Sequence, residues 1–592
     1  MFWHLLYVRL ESGEQQNIII SDGAGYYAYL PAVFIYNDLQ YSFTELNHPE
    51  HPNAPGANHE YFRNTLTDSQ KVNKYFYGTS LAELPFFCGA VLYATFFDYP
   101  VDGYSLPFQI AVALAAIGYT LLGLFFLKKL LMRKGIQDGV AAIVLLMLFL
   151  GTNLYHYTLQ EPSMSHAFSF GIIALFLYHV SVLLDNTSSP NLLKCVFLFG
   201  LIVMIRPVNA IVLAAVPLLA DSLQHLKQTL LTVLKLRKGL LFAMLIFISM
   251  IFIQLIIWKA GTGHWWLDSY KGEHMNLMKA HVFNVLFSFR KGFFIYTPLM
   301  LLAIAGIFFM KRVHERITFA VFFLLNVWII SAWQLWHYGG SLGMRPMIDS
   351  YSVFAFPLAF FTQRIFAAKL KYLMIILFGL LTIHNLIQHY QYKTRILPYD
   401  GMTKEKYRAV FLKTNKIYAD RFDPAQEKLH SLPNGATKIS SFSRTFEEDT
   451  SAHFNTFFGV VANEQFVSGN HAVMINDTIK SSANLAVMMR DAFPETMMQQ
   501  IWVVVKAKVY VTSGKSTARL ALAFKDNAVV YNWQAPPLLW QVEKSNEWTT
   551  FTYVSPLPPP ASAMGEVVTF IIHDDPTKVY ADDFEISFWK AP

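Results

Sequence analysis

The sequence predicts a mainly α-helical polytopic membrane protein, with about ten or eleven transmembrane helices and a C-terminal extracytoplasmic β-sandwich. Three observations predict it. Residues 106–127, 139–155, 163–184, 239–258, 292–310 and 317–336 contain no Asp, Glu, Lys or Arg, and a bilayer core of about 30 Å needs about 20 apolar helical residues to cross it. Basic residues gather at the ends of these runs, as Lys128, Lys129, Arg133 and Lys134, then Lys235, Arg237 and Lys238, then Lys311 and Arg312. That is the pattern of cytoplasmic loops. Beyond about residue 390 the helical runs give way to short alternating stretches.

Composition agrees. The chain has 592 residues, 54% of them hydrophobic, too apolar for one soluble domain. A net charge of +7 sits at helix ends, so it points to lipid headgroups and not to nucleic acid. The two cysteines, Cys88 and Cys195, leave the C-terminal part without a disulfide framework or a Cys-based metal site.

The elements follow in order once the basic loops are placed inside. Residues 1–10 are a short apolar stub, read as the tail of a first transmembrane helix. Residues 11–105 form the first external loop, in which 84–97, about 14 residues with both flanks outside, reads as an interfacial or re-entrant helix. Residues 106–127 run inward, 128–134 are inside, 139–155 run out and 156–162 are external. Residues 163–184 return, and 192–205 with 208–219 form a hairpin whose outer tip is Arg206-Pro207. Residues 224–238 are inside, 239–258 exit, 259–291 are external and 292–310 enter. Residues 311–316 are inside, 317–336 exit, 337–349 are external, 350–363 enter, 369–371 are inside and 372–387 exit. This makes 1–389 the transmembrane domain. Residues 390–435 read as a polar, helical linker. Residues 436–592 read as a β-sandwich, because 502–510, 518–524, 549–554, 567–572 and 584–589 alternate and are separated by turn residues.

The external loops hold the candidate chemistry. Asp22 opens the run Asp-Gly-Ala-Gly-Tyr-Tyr-Ala-Tyr, in which glycines permit close backbone approach and Tyr26 and Tyr27 offer rings and hydroxyls to a substrate. Glu161 is the only carboxylate of its loop, and an acid at membrane depth is a functional candidate; His166 follows it. Arg206 lies between two apolar runs and can grip a phosphate through two parallel hydrogen bonds. Lys291 stands just before the helix that begins at Gly292. Trp336, His337, three glycines and Arg345 meet at another helix mouth, a combination of rings, pliant backbone and planar cation suited to a sugar phosphate. His48, His51 and His59, with Glu50 and Glu60, form the one group that could take a divalent metal. External acids and arginines on one membrane face suggest glycosyl transfer from a lipid-linked phosphate donor.

The same residues resemble the GT-C superfamily of integral-membrane glycosyltransferases, which includes protein O-mannosyltransferases and aminoarabinose lipid A transferases. The resemblance covers 18–389 and is carried by DGAGYYAYLP, LYHYTLQEPSMSHAFSF, RPVNAI, RKGFFIYTP and WQLWHYGGSLGMRP. It implies a polyprenyl-phosphate sugar as donor, Asp22 as the group that deprotonates or orients the acceptor, Glu161 as its assistant, and Arg206, Arg345 and Lys291 as phosphate contacts. The ending YADDFEISFW is similar to the last strand of carbohydrate-binding jelly-roll modules, so Trp533, Trp540 and Trp548 could stack on sugars. The implied partners are membrane lipids, the lipid-linked donor, and a glycan, lipid or protein acceptor, at a bacterial inner membrane. A transporter or flippase of lipid-linked glycans, and a glycan polymerase or ligase, are the rival functions. The first would need charges lining a mid-membrane path, which the central runs lack.

Overall fold

The computed structural model describes residues 18–44, 63–65, 71–368, 371–415, 418, 430–445, 460–462, 465–469, 471–476, 481–482, 484–492, 500–514, 516–526, 529–542, 544–557, 565–573 and 576–590. The chain divides into two compact units, Met1–His389 and Tyr390–Pro592. The first is helical and the second is built of sheets, so the chain is a mainly helical, multi-pass membrane protein carrying a β domain.

Among the described residues six helices are long and apolar enough to cross a membrane: Gly78–Phe96, Leu106–Arg133, Ser165–Asp185, Arg237–Thr262, Val313–Ser331 and Lys371–Lys393. A bent pair, Pro207–Leu218 with Leu223–Lys235 at 118°, would make a seventh. The ten or eleven spans that the sequence counts are therefore not all full-length helices. Prolines explain the difference, because each removes a backbone donor and clashes with the preceding turn. Pro207 ends the helix Ser189–Ile205, and residues Pro207–Leu218 continue as a 3-10 helix. Residues 292–310 break around Pro298 into Phe293–Tyr296, Met300–Gly306 and a 3-10 turn. The helix Asp138–Leu150 has 13 residues, about 20 Å of rise, less than a bilayer core.

Residues 84–97, read from sequence as interfacial, lie in the 19-residue helix Gly78–Phe96, which length and composition alone would allow to cross. Both flanks of that helix nevertheless reach the Asp22–Phe34 segment. Asn73 Nδ2 donates to the Gly25 carbonyl at 2.7 Å on one side, and the Tyr27 hydroxyl donates to the Gly103 carbonyl at 2.6 Å on the other.

Position in the bundle follows from side-chain size. Gly171 has the Tyr119 carbonyl where a Cβ would stand, and Gly123 faces the Gly171 backbone in the same way. The helices Leu106–Arg133 and Ser165–Asp185 thus meet backbone to backbone, as small residues allow in a membrane. Ser165–Asp185 is interior, with 78% of its most apolar window buried, whereas Arg237–Thr262 has 17% buried and presents Leu241, Phe242 and Met244 outward. The basic loops collect at one end of the bundle, where Lys134 meets Glu315 at 3.4 Å, Lys128 meets Asp138 at 2.7 Å and Arg312 meets Asp221 at 2.9 Å.

The second unit packs two antiparallel sheets on one apolar core. In the larger, Trp548–Pro556 pairs with Ile501–Val511, which pairs with Val579–Lys590; this last strand also pairs with Ala472–Ile475 and Thr437–Arg444, and Val460–Ala462 forms the edge. The smaller runs Leu485–Met488, Gly565–Ile572, Arg519–Asp526, Val529–Gln534. Alternating inward residues such as Val503, Val505, Leu520 and Leu522 fill the space between them, which is the sandwich the period-2 pattern predicts. Within 390–435 the described helix is Lys404–Val410.

Candidate active site

Opposite the basic loops, the first unit encloses a cavity of about 400 Å³. Its walls come from five separate parts of the chain. Each is held there by an identifiable local cause.

Asp22 begins the short helix Asp22–Tyr27. The chain before it is fixed by Gln109, whose Oε1 accepts from the backbone N–H groups of Ile18 at 3.0 Å and Ile19 at 2.8 Å. Gly23 lies against Ser163, leaving no room for a side chain. The Asp22 carboxylate then receives Arg345 Nη2 at 2.6 Å. Burial pushes the Asp22 carboxyl up, but the Arg345 guanidinium, a hydrogen bond from Tyr75 and the Lys74 charge outweigh it and hold the group below its ordinary range.

Arg206 caps the end of Ser189–Ile205 in an extended conformation forced by Pro207. Gly78 abuts the backbone of Met204 and Ile205 just before it. His166 is the second residue of Ser165–Asp185. Arg345 and Asp349 belong to the 3-10 turn Arg345–Ser350. The loop entering that turn is tied down by Asn153 Nδ2, which donates to the Leu342 carbonyl at 3.0 Å, and by the Leu342 N–H, which donates to the Tyr157 hydroxyl at 3.0 Å.

Asp349 is the hub of a second polar cluster. His166 Nδ1 lies 2.8 Å from its Oδ1, Asn209 Nδ2 donates to its Oδ2 at 3.0 Å, and Arg206 Nη1 stands 3.5 Å from the same oxygen. The remaining wall is a loop running from Gly263 to His281. It is laced to the end of Val313–Ser331 by backbone hydrogen bonds from Asn276 to Ala332 and from His281 to Ser331. It contributes Tyr270, Glu273 and Met275 to the cavity, and Glu273 pairs with Lys74 at 3.1 Å. Tyr26 and Tyr75 have ring centroids 4.2 Å apart, Tyr75 meets Tyr270 edge-on, and Tyr270 meets Trp333 edge-on. The lining is thus aromatic on one side and charged on another, with Ile205, Val208, Ile329, Ile330 and Leu335 supplying apolar wall.

Of the residues the sequence singles out, Asp22, Tyr26, His166, Arg206 and Arg345 line this cavity together. The others stand elsewhere. Glu161 faces His156 Nε2 at 3.2 Å; burial pushes its carboxyl up, and His156, Arg345 and Lys291 together bring it below its ordinary range. Lys291 is buried, and its ammonium donates to the Ser341 carbonyl. Tyr27 packs into the core against Phe87 and Tyr104. Trp336 lies beside His281 and His337, and His337 Nδ1 accepts from the Gly339 N–H at 3.2 Å. His48, His51 and His59 lie outside the described residues. Among the described residues no group of three or more His, Cys, Asp or Glu could hold a metal.

Sequence reasoning missed Asp349, Asn209, Lys74, Tyr75, Tyr270 and Glu273. Asp349 had a signal. It is the only acid between Trp333 and Gln363, and an acid beside a membrane-entering run is informative. Lys74 and Glu273 carried none, since they sit in long polar loops. In the second unit Trp533 and Trp540 are exposed, while Trp548 packs against Tyr510.

No family model matches the chain, and no curated protein matches it. Among solved structures, the cryo-EM structure of the arabinosyltransferase EmbB from Mycobacterium smegmatis aligns with 86% of this chain at 10% identity and a TM-score of 0.27. The chain spans about 60% of that structure's length.

Proposed function

We propose that this protein is a membrane glycosyltransferase of the GT-C kind. It moves a sugar from a polyprenyl-phosphate donor to an acceptor hydroxyl at the extracytoplasmic face of a bacterial inner membrane. One observation carries the reading: a carboxylate and two guanidinium groups from distant parts of the chain, Asp22, Arg206 and Arg345, share one aromatic-walled cavity.

The chemistry fits the lining. Breaking the bond between sugar and phosphate leaves growing negative charge on the phosphate and growing positive charge on the sugar ring. Arg206 and Arg345 meet the first, and their fixed donors cost no reorganisation as the charge grows. Asp22, beside Arg345, meets the second and orients the acceptor. Tyr26, Tyr75 and Tyr270 give the sugar flat faces. Ile329, Ile330 and Leu335 suit the first isoprene units. The lining carries Lys74, Arg206 and Arg345 against Asp22, Glu273 and Asp349, a balance that suits a singly charged phosphodiester better than a free pyrophosphate. The C-terminal sandwich is extracytoplasmic in this reading, with Trp533 and Trp540 available to an acceptor glycan.

The test gives the purified full-length chain a polyprenyl phosphate bearing a labelled sugar, in sealed vesicles. Label appearing on a new acceptor supports the reading. Label that crosses the bilayer still attached to its lipid would establish a flippase instead, and label in a lengthening chain a polymerase.

A further inference from the structure

Transfer to a hydroxyl releases a proton, and the cavity holds two groups that could accept it, Asp22 and His166. This inference rests on the transferase reading above. Asp22 is poorly suited. Its carboxylate is already neutralised by Arg345 at 2.6 Å, and an acid whose charged form is so well stabilised binds a proton weakly. Efficient general bases have proton affinities near the working pH.

His166 is differently placed. Its Nδ1 lies 2.8 Å from Asp349 Oδ1, and Asp349 is buried. The same carboxylate takes the Asn209 amide at 3.0 Å and has Arg206 within 3.5 Å. A carboxylate with three such neighbours only accepts, so the proton on the short contact belongs to Nδ1. Arg206 Nη1 also stands 3.2 Å from Nδ1. A guanidinium has no lone pair to give, so both cationic donors are directed at Asp349. The imidazole therefore keeps its lone pair on Nε2. Among the described residues Nε2 has no hydrogen-bond partner, and His166 lines the cavity.

We propose that His166 Nε2 takes the acceptor proton, and that Asp349 is the positioning residue that fixes its tautomer and offsets the imidazolium that forms. In the step, the acceptor O–H bond breaks and its proton passes to Nε2. The freed oxygen pair forms the new bond to the anomeric carbon. The bond from that carbon to the phosphate oxygen breaks, and its electron pair leaves on the polyprenyl phosphate. The imidazolium returns its proton to water after product release. Asp22 remains the electrostatic partner of Arg345 and of the sugar. The arrangement places acid-base work and charge stabilisation on separate carboxylates, as occurs where two acids in one site have different surroundings.

The experiment compares purified full-length wild type, His166→Ala, His166→Gln, Asp349→Asn, Asp349→Glu and Asp22→Asn. Each is measured for labelled-sugar transfer and for binding of the labelled polyprenyl-phosphate donor. His166→Ala and His166→Gln are expected to lose about 10²- to 10⁴-fold in kcat while donor binding stays intact. Added imidazole should restore transfer by His166→Ala and leave Asp22→Asn unchanged. Asp349→Asn should lower kcat without raising KM, with partial recovery in Asp349→Glu. Transfer by both His166 variants within about threefold of wild type, or a His166→Ala loss that imidazole does not relieve, overturns the assignment and leaves the transferase reading standing. A wild type that binds donor and transfers nothing overturns both.

Discussion

Asp22 and Arg345 are 323 residues apart in sequence and 2.6 Å apart in the fold. Neither is fully exposed, and each leaves the other as a partly buried lone charge when removed. Asp22→Asn should therefore cost more than the electrostatics of one hydrogen bond. The Asp22 carboxyl is held below its ordinary value by Arg345, Tyr75 and Lys74 against the opposing effect of burial. A lowered acid contributes above its unfolded value and loses that contribution only as pH falls through the folded one. The difference between wild type and Asp22→Asn should thus stay constant from neutrality down to about pH 4, measured as transfer rate; a difference that fades between about pH 7 and pH 5 would contradict the pairing. Charges flanking apolar runs were legible in sequence, so Asp22, Arg206 and Arg345 were found. Lys291 carried the same signal, yet its ammonium is turned onto the Ser341 carbonyl. Spacing cannot show which way a side chain turns. Replacing Lys291 by Met should leave that carbonyl without this donor and cost about 1–3 kcal/mol of stability, read by denaturation, with donor affinity changed less than in Arg345→Lys.

Elements place these residues through close backbone approach. Gly78, at the start of Gly78–Phe96, has the Met204 carbonyl and the Ile205 N–H where a Cβ would stand. Those atoms are backbone and cannot swing aside. Gly78→Ala should push the turn that carries Arg206 away from Asp349, lowering transfer at least tenfold on the scale of a displacement of about 1 Å while the second unit melts unchanged. Transfer within about twofold of wild type would show that Arg206 tolerates the shift. The apolar runs were visible as elements, and their interruptions were written in the same sequence. Pro207, Pro217, Pro298 and Pro357 stand inside stretches counted as single spans. Hydropathy sees no difference between a straight helix and one broken by proline, because the broken backbone groups can be satisfied within the bundle. The flanks of Gly78–Phe96 were read as sharing one side, and Asn73 and Gly103 do meet the same Asp22–Phe34 segment.

At the scale of the molecule, the charge pattern divides the bundle into two ends. Lys134, Arg312, Glu315 and Asp221 gather at one, and the cavity opens from loops at the other. In a chain with exposed Cys88 replaced by Ser, a cysteine at Trp266, which is 80% exposed, and one at Leu234, which is 64% exposed, should label from opposite sides of a sealed vesicle. Labelling of both from one side would undo the topology. The sandwich was legible because alternation survives in strands such as Ile501–Val511, buried at nearly every second position. Its pairing order was not, since strands distant in sequence become neighbours. The measurement closest to the central claim is transfer of labelled sugar from a polyprenyl-phosphate donor by the purified full-length protein and by folded Asp22→Asn. The account predicts transfer by the first and a loss of about 10²-fold or more in the second. Equal transfer by both would contradict it.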